Sequence, residues 1–430
     1  MVAAAVSGDA ASLRYPRRFH SARQRNERLA RLLRLVARVE TVDEGLLDRL
    51  GRGMFARDEL GAQLVAPMRR APDDPQRVAM TQFKAALAEG IEAVPDAPSA
   101  LRQFFAVIDD VPDWVDFDLL EQGARAFRRF GRSRDDVLLQ LSLIGGYRFA
   151  GPADLLVQTG GLTGSGAMRR LGQTQLWADA VSAPGGMRRD GEGFRLTVHV
   201  RVMHALVNHQ FETNGRWDIH QHGLPINQSD QAGTLGLFNS TVLIGMRMLG
   251  RIVAKAESLA VMHLWKYVGW LMGVDENWLF DTEREQNFFN YHVLLAQAGA
   301  TPAGADLAAA LVDGQLTQHY EHLSRVRGHY ARLRLLSMLR YFLGKEGLGD
   351  LNLPVTPAWA VPPIIVANLL ESGLIARTDL GRRYLDRAAD RSSQRLLKLR
   401  FGKAAAEIGA LPNLHPGACP RRPIQRDRVT

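Results

Sequence analysis

The 430-residue sequence contains a single cysteine, Cys419, which lies in a Pro- and Arg-rich tail. One thiol excludes an intramolecular disulfide framework and a cysteine-based zinc site. Long hydrophobic runs are also scarce: the longest uncharged apolar stretch, residues 232–246, is too short and too rich in Gly, Asn, Ser and Thr to span a bilayer. The first eleven residues lack the basic-then-apolar order of an export signal. These features predict a cytoplasmic protein without transmembrane helices.

Aromatic residues make up only 7% of the chain, and they are not interleaved with its basic residues. The formal charge of +9 comes from the two ends, because residues 1–40 carry nine arginines against three acids and residues 377–430 carry thirteen basic residues against five acids. Without stacking aromatics beside the arginines, this pattern does not predict nucleic-acid binding. It allows at most peripheral association with an anionic membrane surface.

Strand patterns are nearly absent, whereas helical periodicity recurs along the chain, and 46% of the residues are apolar. We therefore expect an all-α protein with one large helical domain at residues 25–409, between a basic flexible segment at 1–24 and a Pro/Arg-rich tail at 410–430. The periodic segments are 25–39, 77–89, 98–110, 115–130, 134–146, 165–183, 194–211, 229–249, 252–272, 281–297, 304–313, 319–343, 362–373 and 380–409.

The most unusual segment is 194–211, which carries His204 among Met203, Ala205, Leu206 and Val207. An imidazole in such surroundings needs a hydrogen-bond partner or a metal, because otherwise its burial costs stability. The alternating valines at 198, 200 and 202 would also suit a strand, but the length of the run favours a helix. A core histidine bonded to a backbone carbonyl is the alternative interpretation of His204.

Upstream, Arg170, Gln173 and Thr174 have the spacing of one helical face. An exposed polar stripe would explain them equally well. Single histidines on apolar helices are also the way proteins hold haem iron, in a slot that is mostly apolar with cations near the propionates. His204 together with these polar residues therefore raises the hypothesis of a haem pocket.

The chain resembles the latex-clearing protein (rubber oxygenase) and MpaB-type oxygenase family over roughly residues 135–355. Five segments in a fixed order carry the resemblance: Arg170-Leu171-Gly172-Gln173-Thr174; Arg201-Val202-Met203-His204-Ala205; Asn227-Gln228-Ser229-Asp230-Gln231-Ala232-Gly233-Thr234 followed by Phe238; the Trp-x-x-x-Gly-x-x-x-Gly-Val-like run 263–274; and Arg340-Tyr341-Phe342-Leu343-Gly344 with Leu351-Asn352-Leu353-Pro354.

The resemblance implies a globin-like helical domain that encloses a haem b pocket and uses O2 as co-substrate to oxidise or cleave an apolar, unsaturated substrate. It implies His204 as the proximal iron ligand and Arg170 and Thr174 as catalytic residues near the other face of the iron. Arg201 would bind the cofactor by pairing with a propionate, with an ordinary ion pair as the alternative. The reductant is not implied.

Two positions depart from the family pattern. Asp154 falls where rubber oxygenases carry a catalytic glutamate, but it is one methylene shorter, and a surface or helix-capping role is the alternative. Gln173 falls where members can carry a lysine that closes the sixth coordination site of the iron. Because glutamine is a poor iron ligand, we expect Gln173 to border an iron that is five-coordinate or water-bound at rest.

Two rival hypotheses remain open at this point. His220 with His222, and His319 with His322 beside Glu321, have spacings that can chelate a non-haem metal. Alternatively, the chain binds haem without catalysis.

Overall fold

The computed structural model describes residues 14–159 and 166–402, and every regular element in these ranges is a helix. The prediction of an all-α fold is confirmed. The predicted tail at 410–430 lies outside the described residues, as do 1–13 of the N-terminal segment. From Arg14 onward this segment is described, and Arg18 is buried in an ion pair with Asp230.

The first part of the chain forms a series of short helices. They are α1 (Arg23–Leu29), α2 (Arg31–Ala37), α3 (Glu44–Gly53), α4 (Glu59–Met68), α5 (Met80–Glu89), α6 (Ser99–Asp109) and α7 (Phe117–Arg129). The periodicity predicted most of these but missed α3 and α4. Three glycines interrupt the apolar pattern of α3, and Pro67 lies inside α4.

The central part supplies the helices around the predicted site. They are α8 (Gly131–Val137), which continues into a π-helical segment (Leu138–Ile144), α9 (Pro152–Gln158), α10 (Gly166–Val181), α11 (Glu192–Asn214), α12 (Ile219–His222), α13 (Gln228–Phe238), α14 (Ser240–Met248), α15 (Lys255–Leu271) and α16 (Glu283–Ala296). Single turns of 3-10 helix lie at Ile91–Ala93, Glu276–Trp278, Gly314–Thr317 and Ile375–Arg377.

The last part consists of α17 (Pro302–Asp313), α18 (Ser324–Asp350), α19 (Val361–Gly373) and α20 (Asp379–Phe401). Helix α18 bends at Gly344, whose φ of 72° breaks the helical geometry. Helix α20 lies across α7, α8 and α10.

Segment 194–203, which allowed either strand or helix, is helical. Its fully buried valines, Val198 and Val202, are four residues apart, whereas Val200 is only half-buried. A strand would bury alternate residues, so the spacing of four identifies one face of α11. That face packs against α10, where the indole N–H of Trp177 donates to the hydroxyl of Thr197 at 3.0 Å.

Two groups of buried side chains support the central helices. The larger group contains the packed rings of Phe127, Trp177, Phe238 and Trp265. A smaller group lies beneath α9, α10, α17 and α18. Among the described residues, no helix is both long enough and apolar enough to cross a lipid bilayer.

Candidate functional site

The predicted site residues lie on two helices that pack against each other, Arg170 on α10 and His204 on α11. His204 projects from the face of α11 that also carries Thr197 and Arg201, and Arg170 from α10 is close enough to influence its charge. The two helices therefore bring the two predicted segments together, although thirty residues of sequence separate them.

His204 lines a cavity of about 130 Å³, which we call the histidine cavity. The Nδ1 atom of the ring is buried and has no hydrogen-bond partner. Burial lowers the pKa of His204 to about 4; Asp58 and the Gln231 amide oppose this shift, and Arg170 adds to it. The imidazole is therefore neutral at pH 7, which is the form that binds a metal.

Gln231 forms another part of the wall of this cavity. It lies in the first turn of α13, whose N-cap Asn227 accepts a hydrogen bond from the Asp230 amide at 2.9 Å. The Oε1 atom of Gln231 is buried, and no hydrogen bond of ordinary length and angle reaches it. The amide is nevertheless near enough to raise the pKa of His204. The histidine cavity thus contains a ring nitrogen, His204 Nδ1, and an acceptor, Gln231 Oε1, and neither atom forms a well-formed hydrogen bond.

A second cavity of about 210 Å³, which we call the apolar cavity, shares no lining residue with the histidine cavity. Its walls include Leu138, Leu143, Leu156 and Phe238, and Thr174 of α10 lines it as well. Tyr147 contributes a buried hydroxyl without a hydrogen-bond partner. Burial raises the pKa of this hydroxyl, and the charge of Arg170 partly opposes the shift. Arg170 therefore influences both His204 and Tyr147.

Thr174 donates its hydroxyl to the carbonyl of Arg170 at 3.2 Å, one turn earlier on α10. No carboxylate of the described residues lies within ion-pair distance of the Arg170 guanidinium. The described residues thus provide a neutral imidazole in the histidine cavity, a cation without an acidic partner, and a separate, mostly apolar cavity. The apolar cavity suits a ligand with an apolar body.

The family model described as "ER-bound oxygenase mpaB/B'/Rubber oxygenase, catalytic domain" matches residues 136–371. The chain belongs to this family. Membership indicates an oxygenase catalytic domain, and it confirms the resemblance recognised in the sequence.

Two further comparisons agree with membership in the mpaB and rubber oxygenase family. A protein named rubber oxygenase from Streptomyces sp. (strain K30) is 24% identical over 290 residues, which span 66% of this chain and 69% of the relative. A solved structure of latex clearing protein in the closed state gives a TM-score of 0.52 at 19% identity and covers 76% of this chain and 94% of that chain. The structural likeness supports the fold.

Arg201, which the family pattern suggests as a cofactor-binding residue, is held in an ion pair. Its Nε and one terminal nitrogen each lie 2.7 Å from the carboxylate oxygens of Asp58, and another nitrogen donates to the carbonyl of Leu271. The alternative of an ordinary ion pair thus describes its contacts in the structure. That Arg201 binds a haem propionate stays a prediction.

Asp154, the suggested counterpart of the family's catalytic glutamate, bonds to local groups. Its carboxylate accepts the Gly151 amide at 3.2 Å and the Thr301 hydroxyl at 3.0 Å. These contacts stabilise the start of α9 and connect it to the N-cap of α17. Asp154 does not line the histidine cavity or the apolar cavity, so its contacts favour the capping interpretation.

Gln173 is half-buried on α10, between the positions of Arg170 and Trp177. The four histidines of the rival metal hypothesis, His220, His222, His319 and His322, all lie in described segments. Residues 14–159 and 166–402 contain no group of three or more His, Cys, Asp or Glu side chains that would hold a metal ion. The geometry therefore gives the non-haem hypothesis no support.

Sequence reasoning missed Gln231 and Tyr147. Gln231 falls inside a segment that carries the family resemblance, but its neighbours Asn227 and Asp230 identify that segment as the beginning of a helix. Only the three-dimensional contact with His204 distinguishes Gln231 from a capping residue. Tyr147 has no motif of its own.

Proposed function

We propose that this protein is a haem b-dependent oxygenase that uses O2 to oxidise or oxidatively cleave an apolar, unsaturated substrate. The observation that carries the proposal is the neutral imidazole of His204 in a chain of this oxygenase family: its Nδ1 is buried, and no residue forms a hydrogen bond of ordinary geometry with it. A core histidine with a structural role would be expected to bond to a carbonyl or a side chain.

His204 fits the requirements of a haem ligand. A low pKa keeps the ring unprotonated over the physiological range, so a ring nitrogen can bind iron without first losing a proton. Haem iron, when bound, supplies the redox centre that activates O2. The protein would contribute the ligand, the orientation of its ring and a pocket that excludes water.

Arg170 and Thr174 are the residues that we assign to stabilising negative charge as it develops beside the substrate. The Arg170 guanidinium has no acidic partner among the described residues, so its charge is available to another group. A charged donor acts strongly where water is excluded, and the Thr174 hydroxyl would have to turn from the Arg170 carbonyl to donate beside it. Tyr147 would add a third donor at the apolar cavity.

The apolar cavity is the proposed place for the substrate. Most of its wall is aliphatic or aromatic, which favours a hydrocarbon chain over a polar metabolite. The name of the Streptomyces relative suggests polyisoprene chains as a substrate class to test. The apolar cavity would accept any unsaturated chain of suitable width.

The cofactor assignment is tested by the absorption spectrum of protein purified from cells that are supplied with a haem precursor. We expect a Soret band and stoichiometric iron in the wild type, and loss of both in His204→Ala. His199→Ala is the matched control, because it lies on α11 but does not line the histidine cavity. A colourless wild-type preparation, or a His204→Ala variant with an unchanged Soret band, would contradict the proposal.

The oxygenase assignment is tested by O2 consumption with squalene as a short polyisoprene probe. Arg170→Met should retain the Soret band but reduce turnover by about 100-fold or more, as removal of one charge-stabilising donor does in other enzymes. Arg169→Met is the control, because Arg169 is exposed on the same helix. Haem binding without O2 consumption on a panel of apolar alkenes would instead support the non-catalytic haem-binding alternative.

A further inference from the structure

Helix α20 begins after the family match ends at residue 371, yet it contributes to the apolar cavity. Its last turn packs against α10 at Gly172, where a Cβ atom would lie 2.6 Å from the ring of Phe401. The absence of a side chain at Gly172 lets the two helices approach closely. Arg400, the residue before Phe401, thereby reaches the cavity wall.

The guanidinium of Arg400 lacks an acidic partner at contact distance. It donates to the side-chain oxygen of Gln175 and, at 3.4 Å, to the carbonyl of Leu171, while its Nε is buried without any partner. The buried arginines of the described chain each form an ion pair, namely Arg18, Arg134, Arg148, Arg201 and Arg251, whereas Arg400 is half-buried and forms none. Leaving its buried Nε–H without an acceptor costs free energy.

Asp135, which lines the same cavity, has a carboxylate oxygen that lacks a donor. The Oδ1 atom of Asp135 accepts two hydrogen bonds from Arg134, at 3.0 and 2.8 Å, but its Oδ2 is buried and unpaired. Asp135 and Arg400 attract each other electrostatically, although they form no direct ion pair. Besides the Tyr147 hydroxyl, the cavity thus contains one donor, Arg400 Nε, and one acceptor, Asp135 Oδ2, that form no hydrogen bond.

The charged side chains around Arg400 Nε and Asp135 Oδ2 already balance one another. Arg134 bridges Asp135 and Asp179, and Arg334 pairs with Asp136 at 2.5 Å. With Arg400 as the third cation, three arginines face three aspartates. An anionic ligand would add an unbalanced buried charge, whereas a neutral group that accepts one hydrogen bond and donates another would satisfy both atoms.

Most of the remaining wall of the cavity is apolar. Leu138, Leu139 and Leu143 of the π-helical segment contribute to it, and Tyr147 lines it as well. The unpaired atoms of Asp135 and Arg400 therefore share the cavity with a wall that suits a hydrocarbon chain.

We propose that the apolar cavity binds a hydrocarbon chain that ends in a hydroxyl group, with the hydroxyl oxygen accepting from Arg400 Nε and its proton donated to Asp135 Oδ2. That this ligand is the substrate rests on the proposed oxygenase function; the binding itself does not. The proposal makes Arg400 and Asp135 the residues that determine specificity for the end of the chain.

The test compares three probes of equal chain length on the protein as purified: 1-dodecanol, its methyl ether and dodecanoate. The ether accepts but cannot donate, and the carboxylate brings a charge next to Asp135. Isothermal titration should give the alcohol an affinity about tenfold higher than the ether, the loss expected for one buried hydrogen bond. Dodecanoate should bind more weakly than the alcohol.

Two variants assign the preference to the named atoms. Arg400→Met should lower the affinity for 1-dodecanol by about tenfold while the Soret band stays unchanged. Arg395→Met, an exposed position of α20, should leave the affinity unchanged. Asp135→Asn should shift the preference toward dodecanoate, because it removes the charge that repels a carboxylate.

Three results would overturn the proposal: equal binding of the alcohol and its ether, tightest binding of dodecanoate by the wild type, or loss of haem in Arg400→Met. The last result would show that Arg400 serves a porphyrin carboxylate. If Arg400→Met fails to fold, the order of the three probes on the wild type decides. If no O2 consumption occurs but the alcohol preference holds, the binding site stands and only the oxygenase function fails.

Discussion

Gln231 on α13 and His204 on α11 face the same small cavity, and each has a buried atom for which the protein provides no well-formed hydrogen bond. The Gln231 amide is near enough to raise the pKa of His204, and we expect its oxygen to accept from Nδ1, which favours the tautomer with the proton on Nδ1. That tautomer leaves the lone pair of Nε2 free for iron. Ligand histidines in metalloproteins commonly depend on such an outer partner.

The first prediction concerns Gln231 as a positioning residue for His204. Gln231→Leu keeps the volume but removes the acceptor, so we expect haem affinity to fall by roughly 10–100-fold. In the ferrous protein, the iron–histidine stretching band in resonance Raman should also shift to lower frequency, because the ring becomes less basic. Gln231→Glu should restore the band, since a carboxylate is a stronger acceptor. An unchanged band in both variants would remove Gln231 from this role.

The second prediction concerns Gln173, where family members can carry a lysine. The ferric wild-type protein should give a high-spin EPR spectrum, because glutamine is a poor ligand and leaves the sixth position open or bound to water. Gln173→Lys places an amine on the same helical position and should convert a large fraction of the protein to a low-spin form. Two strong-field nitrogen ligands in the wild type would contradict this expectation.

The third prediction separates catalysis from stability at Asp154. Because the carboxylate holds the Gly151 amide and the Thr301 hydroxyl, Asp154→Ala should lower the free energy of unfolding by about 1 kcal/mol, a typical loss for a helix-capping side chain. Turnover per haem should stay within a few-fold of the wild type. A loss of turnover beyond about 100-fold, with unchanged stability, would instead support the catalytic role implied by the family resemblance.

The sequence allowed much of this architecture to be predicted, for physical reasons that differ among residues. Helix α11 was predictable because its run is longer than a typical strand, although the alternating valines at 198, 200 and 202 also suited one. The closeness of Arg170 and His204 came from the family resemblance, because no local pattern specifies which helices pack together. The capping role of Asp154 had been an open alternative, since an aspartate near a Pro that starts a helix is a common N-terminal signal.

The partners of the buried charges were not predictable. Asp58 holds Arg201 across a sequence separation of 143 residues, and Arg400 lines the apolar cavity from a helix outside the matched domain. Long-range pairing of this kind depends on the tertiary packing of helices, about which periodicity carries no information. Only the structure therefore shows that Asp135 and Arg400 line the same cavity.

The last prediction concerns the pH dependence of stability and depends on His292, which is completely buried on α16. Its Nε2 accepts the Asp43 amide at 2.9 Å, and its Nδ1 donates to the Phe288 carbonyl at 2.8 Å. Burial lowers the pKa of His292 below 6.5, although the Phe288 carbonyl and the carboxylates of Asp43 and Glu44 oppose the shift, and Arg23 reinforces it. A second proton would face the Asp43 amide proton, so the folded state resists protonation.

Because the unfolded chain takes up this proton near pH 6.5 and the folded chain does so only at lower pH, the stabilisation is complete above pH 6.5 and is lost as the pH falls below it. Urea unfolding at about pH 7.5 and 5.5 should therefore show a smaller loss of stability in His292→Gln than in the wild type. Glutamine can accept and donate in place of the ring but does not titrate. His322→Gln, at an exposed position, should keep the wild-type pH dependence. Equal losses in the wild type and His292→Gln would show that His292 is not the group responsible.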